Sequence, residues 1–311
     1  MIVDAHLHIW DKIAGRVGGL AGGGGGVPVE AVGGGVIRIG QEEVLGMPAT
    51  FLDCAAGGEL VLAEFDAAGV DAGVIVQEYL DGPQNEYLQK VKQQFPNRFF
   101  MYGLIDLFDT TKALERTENL WTQGFEGLKI CGGHLNGAVK LDDAGLMSAY
   151  AYVAQRGGYL SVDLSEGCGQ VKELERIVDA FPELKIAVGH FGMPTRKGWP
   201  GQLELARHPN VMLESGGIIW LYRNEGYPFE GAIDAIIQAK NRVGIEKLMW
   251  GSDWPRTMVD FTYRQSLEFV ALSERLTDEE KKLFLGENAR AFYGLEKPKK
   301  EKQARALITQ G

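Results

Sequence analysis

From residue 70 onward, short runs rich in β-branched residues alternate with longer stretches in which apolar residues recur three or four apart. The runs 72–79, 98–105, 124–131, 158–164, 184–190, 210–215 and 247–253 read as buried strands, and "IVDAHLHI" (2–9) makes eight. Between them the spacing predicts helices over 85–95, 144–157, 170–181 and 230–243. Strand then helix, repeated eight times, is the pattern of an α/β (β/α)8 TIM barrel in one domain over 1–295. A doubly wound sheet shares the alternation, but such sheets place a G-x-G-x-x-G turn after their first strand. Here that strand runs into "HIWDKIAGR", so no nucleotide cofactor is expected.

Residues 11–57 break the rhythm. "GRVGGLAGGGGGVP" and "AVGGGVIRIG" carry too little side-chain volume for a core element, so this Gly-rich insertion after strand 1 reads as a flexible linker or a mobile lid over the active face. Residues 296–311 form a basic tail, either solvated or facing a second copy in a homo-oligomer. A 45% hydrophobic share supports a sizeable core, and the net charge of −10 argues against a nucleic-acid surface and favours a small-molecule partner. The 3 cysteines, Cys54, Cys131 and Cys168, have no paired spacing and read as reduced thiols. Without a signal-type or membrane-spanning run, a cytoplasmic location is expected, with no membrane partner.

The chemistry-bearing residues fall at strand ends. His6 and His8, two apart, point to one face of the first strand, where gathered imidazoles could bind a divalent cation or polarise a carbonyl. His190 ends "IAVGH", Asp253 ends "MWGSD", and Lys129 sits within "GLKIC". A buried apolar strand has no packing reason to finish in histidine or aspartate, so convergence on one site is the economical reading. His134, just after strand 4, is a candidate substrate contact, whereas His208 reads as a surface histidine. Arg223 and Arg256 follow strand ends and could take a carboxylate-bearing substrate, with Trp220, Tyr222 and Trp254 as an aromatic wall; a surface salt bridge or core packing would explain each equally.

"VDAHLHIW", "FDAAGVDAGVIVQ", "GFEGLKI", "AVGHFGMP", "LMWGSDWP" and "LGENARAFYGL" together resemble the amidohydrolase-related branch of the amidohydrolase superfamily, in order from residue 2 to about 295. That branch contains lactonases, dicarboxylate-pyrone hydrolases and non-oxidative decarboxylases. The resemblance implies catalytic His6, His8, His190 and Asp253, which are also the implied ligands of a Zn or Mn ion. Family members with a metal often add a histidine on strand 5; this chain has Asp163 there, as an oxygen ligand or a structural carboxylate. Lys129 is implied either as a binder of a substrate carboxylate or, in the wider superfamily, as a carboxylated metal bridge. The leading expectation is a hydrolase acting on a small anionic lactone or ester-like carbonyl, with Asp253 as general base and the strand-end histidines, alone or through a bound Zn or Mn ion, polarising the carbonyl. The alternatives are a metal-dependent decarboxylase of an aromatic or enoic acid and a non-catalytic ligand-binding barrel.

Overall fold

The computed structural model describes residues 1–18, 26–135 and 137–297. The basic tail beyond residue 297 and part of the Gly-rich stretch, 19–25, lie outside them. Strand β1 (Val3–Leu7) is followed by an insertion with β2 (Arg16–Val17), β3 (Val27–Gly33), β4 (Val36–Ile39) and β5 (Glu42–Leu45). The chain then builds β6 (Ala72–Ile75), β7 (Phe99–Gly103), β8 (Gly127–Cys131), β9 (Tyr159–Asp163), β10 (Lys185–Val188), β11 (Val211–Glu214) and β12 (Leu248–Met249). β1 and β6 to β12 pair in sequence order, all parallel. The residues after β12 close the ring onto β1, through Ala5 N to Trp250 O at 2.8 Å and His8 N to Trp254 O at 2.7 Å. This is the expected (β/α)8 barrel.

Helices Asn85–Gln94, Ala144–Gln155, Val171–Ala180 and Glu230–Val243 fall where the apolar spacing put them and pack their buried stripes against the outer faces of the strands. Inside the ring, Val3, Ala5, Phe100, Tyr102, Tyr159 and Met212 form a separate apolar cluster, closed at the strand N-termini by Tyr293. No helix among the described residues is long and apolar enough to cross a membrane.

The insertion differs from the expectation of a segment without core elements. β2 to β5 form an antiparallel sheet in sequence order, and Val29, Ile37 and Met47 are buried in the main core. Its glycines serve the turns: Gly34 and Gly35 have φ of +58° and +75° between β3 and β4. A Cβ on Gly35 would meet the Met47 carbonyl at 2.4 Å, so glycine there permits a close turn rather than a loose chain. The sheet docks on the C-terminal side of the barrel, where Arg16 N donates to Tyr79 O at 2.8 Å and Trp10 Nε1 to Cys54 O at 2.6 Å.

Candidate active site

Strand geometry assembles the site. In β9, Tyr159 faces the apolar interior and the residues at the same parity, Ser161 and Asp163, continue upward on that face. In β11 the same step leads from Met212 to Glu214. β1 carries an irregularity between Asp4 and Leu7: Ala5 belongs to the interior cluster, whereas Leu7 packs with the outer layer. This change of parity turns His6 inward, the use to which a bulge beside an active site is commonly put. Asp4, facing the other way, accepts from Ser252 N at 2.9 Å, Ser252 Oγ at 2.5 Å and Tyr263 OH at 2.9 Å, tying β1 to the segment that carries Asp253.

His190 and Asp253 lie just past their strands rather than inside them. Their backbones are left-handed, with φ of +51° and +56°, and Phe191 and Met193 share that conformation. Non-glycine residues adopt it at a cost of about 1–3 kcal/mol, a strain that concentrates at functional sites.

The side chains converge. His6 Nε2 lies 3.2 Å from His8 Nε2, while Asp253 Oδ1 is 3.1 Å from His8 Nε2 and 3.8 Å from His6 Nε2. The His6 and His190 rings sit with centroids 4.7 Å apart, and His190 Nε2 is 3.9 Å from Asp163 Oδ2. Lys129, fully buried, holds Asp163 at 2.6 Å and Ser161 Oγ at 3.1 Å. Glu214, which the sequence reading missed, bonds His6 Nδ1 at 2.6 Å and accepts from Gly216 N at 2.6 Å.

Burial sets the charges. It pushes the Glu214 carboxyl up to about 8 and His6 well below its ordinary value, so the pair shares one proton. Burial alone would lower His190, but the charges of Asp163, Asp253 and Glu214 outweigh it and hold the imidazole up to about 9. For Asp253 burial acts upward, and the His8 imidazole 3.1 Å away, with the charges of His190 and His6, holds the carboxyl below its usual range. Asp163 is likewise depressed, burial being overcome by Lys129 and His190.

Two sets of side chains fit a divalent cation: His6, His8 and Asp253, and His6, Asp163 and His190, each with donor atoms within 4.8 Å of one another. Asp253 Oδ1 and Asp163 Oδ1 are buried without a hydrogen-bond partner among the described residues. The 3.2 Å between the His6 and His8 Nε2 atoms is close to the roughly 3.3 Å separating two imidazole nitrogens on one tetrahedral zinc. A mixed nitrogen and oxygen donor set suits Zn or Mn, and the Glu214 bond to His6 Nδ1 is the carboxylate support that metal-bound histidines commonly receive. A cation in the second set would displace the His190 proton.

Around this centre the other expected residues divide. His134 stands on the short helix after β8 and bonds Glu78 Oε1 at 2.9 Å. Arg256 donates to Gly46 O at 3.0 Å, pairs with Asp81 and lies over the Trp10 ring, so it fastens the insertion to the barrel. Trp254 is buried and packs beside Phe51. Tyr222 packs against the outer core, and Arg223 is exposed 3.9 Å from Asp260. A cavity of about 410 Å³ opens beside the centre, lined by Gly133, Asp163, Leu164, Ser165, Glu166, Gly189, His190, Met193 and Arg196. Arg256, Trp254, Tyr222 and Arg223 are not among its walls.

The amidohydrolase family pattern matches residues 3–295, and the chain belongs to that family. It is an amidohydrolase-superfamily hydrolase built on a (β/α)8 barrel. An L-fucono-1,5-lactonase of Burkholderia ambifaria is 24% identical over 253 residues, 76% of this chain and 84% of its own length. Among solved structures, a zinc-bound amidohydrolase from Burkholderia multivorans superposes with a TM-score of 0.69 at 18% identity, over 95% of this chain and 100% of its own. A probable 2-pyrone-4,6-dicarboxylic acid hydrolase from Acinetobacter baumannii, with citric acid bound, gives 0.67 at 17% identity, over 94% and 99%. These two likenesses establish the shared fold.

Proposed function

We propose that this protein hydrolyses a small lactone, with Asp253 as the general base and the histidine cluster stabilising the oxyanion. The observation that carries the reading is the buried, unpartnered Oδ1 of Asp253, 3.1 Å from His8. A carboxylate held ionised at neutral pH, with one oxygen uncommitted, can take a proton from a water molecule beside it. His190 donates through Nδ1 to Gly216 O at 2.9 Å, which leaves Nε2 turned to the cavity as a cationic donor for the oxygen that gains charge. Protonated Asp253 then returns its proton to the leaving ring oxygen. When bound by either ligand set, a Zn or Mn ion would supply Lewis-acid polarisation of the same carbonyl. The lactonase relative supports the substrate class.

The test is turnover on a panel of lactones and aromatic carboxylic acids, using chelator-treated enzyme before and after Zn or Mn is restored. Ring opening of lactones is expected. Release of carbon dioxide from the acids, with every lactone untouched, would replace this reading with the decarboxylase. Binding of panel members without turnover would leave the ligand-binding barrel.

A further inference from the structure

The structure commits most of the cations expected to read an anionic substrate. Arg256 is tied to Asp81 and Gly46, Lys129 is buried on Asp163 and Ser161, and Arg223 stands outside the cavity beside Asp260. Arg196, which the sequence reading passed over, is different. It lines the cavity that also holds His190 and Asp163. Its backbone is set by the turn after β10, where Arg196 N donates to Met193 O at 2.8 Å. Its side chain is 48% exposed, and its one carboxylate neighbour among the described residues, Glu166, is 4.0 Å away, beyond hydrogen-bond distance.

We propose that Arg196 is the specificity-determining anchor of this site, reading a carboxylate on the lactone through its guanidinium fork. The proposal rests on the hydrolase reading and gives it a substrate class: a lactone bearing one planar carboxylate. A fork of parallel donors matches that group in two bonds, and a loosely held guanidinium gives up little to make them. Asp163 is already taken by Lys129, and Asp253 lies with His8 and His190, so outside the catalytic cluster Arg196 is the one cation among the described residues of the cavity wall for an incoming carboxylate, which favours a substrate with a single anionic group. Glu166 is the resident competitor, drawn to Arg196 when the cavity is empty and displaced when a substrate carboxylate arrives.

The experiment uses a matched pair of substrates, a carboxylated lactone and its carboxamide, with wild type, Arg196→Gln and Glu166→Gln. In Arg196→Gln, KM for the carboxylate should rise about 30–100-fold, the size expected for a lost charge-assisted bidentate contact, with kcat within about threefold and the carboxamide unaffected. Glu166→Gln should lower KM for the carboxylate alone. In parallel, calorimetry follows binding of tetrahydropyran-2-carboxylate, which has no scissile carbonyl, to wild type and Arg196→Gln. If binding depends on Arg196 but no lactone is opened, the anchor stands and the hydrolase reading falls. If lactones are opened but Arg196→Gln affects acid and amide equally, or neither, the anchor is overturned and hydrolysis stands.

Discussion

The two ends of the barrel interior are built on the same strands and the same inward face, yet they share almost no chemistry. At the strand N-termini the interior is Val3, Ala5, Phe100, Tyr102, Tyr159 and Met212, plugged by Tyr293. One or two inward positions further along, it becomes His6, Lys129, Ser161, Asp163 and Glu214. The lower end gains from removing apolar surface from water. The upper end surrenders that gain, buries charge, and recovers the loss through mutual pairing, as between Lys129 and Asp163 at 2.6 Å. A (β/α)8 barrel can thus hold a polar centre at one end of its interior because the other end supplies the stability.

The comparison breaks most sharply at Asp253. Asp253→Asn keeps the shape of the group but removes the proposed base, so lactone turnover should fall about 10³-fold while the melting temperature moves by only a few degrees. Parallel activity and melting measurements check this; near-normal turnover would sink the assignment of the base. The mirror experiment is Phe100→Ala in the lower end. It should cost about 3–5 kcal/mol of stability in denaturant unfolding, with kcat of the folded enzyme unchanged within about twofold.

Lys129 tests the boundary between the two. Lys129→Met leaves the partly exposed Asp163 without its nearest cation and should cost about 2 kcal/mol, whereas adding Asp163→Leu should restore part of that, because the carboxylate is then no longer held beside an apolar side chain. A double variant no more stable than the single one would show that Asp163 does not depend on Lys129.

The lower end and the ring were legible in the sequence because strand and helix periods are local properties. The eight strands and the four long helices read from spacing are all present. Legibility failed where side-chain direction or turn geometry decided the outcome. His190 and Asp253 were assigned to strands but sit in left-handed backbone, which apolar patterning does not reveal. Arg256 and Arg223 follow strand ends, as a substrate contact would, yet one points into the insertion and the other to solvent. The glycines of "AVGGGVIRIG" resembled slack but are turns between short strands whose alternation, Val29 and Ile37 inward, was too brief to stand out. Glu214 could have been found: a glutamate closing "VMLE" obeys the same argument that picked out His190.

The mildest test lies at the rim, where Glu78 and His134 meet at 2.9 Å with about a quarter of each side chain exposed. Glu78 raises the imidazole above its ordinary value against the effect of burial. Burial would raise Glu78 in turn, but the His134 bond and the charge of Arg256 bring it below its usual range. His8 also faces Glu78, and Asp163 and Lys129 face His134. A raised histidine stabilises fully below its unfolded value of about 6.5 and loses that contribution as pH rises through the folded value. A depressed carboxylate stabilises above its unfolded value of about 4.3 and loses its contribution as pH falls through the folded one. The pair therefore contributes most between about pH 4.5 and 6.5, by no more than about 2 kcal/mol for a partly exposed charge-assisted bond. Glu78→Gln should lower the melting temperature at pH 6 and do so by a smaller margin at pH 9. An equal difference at both would mean that the bond carries no charge, and that the polar end of the barrel stops short of its rim.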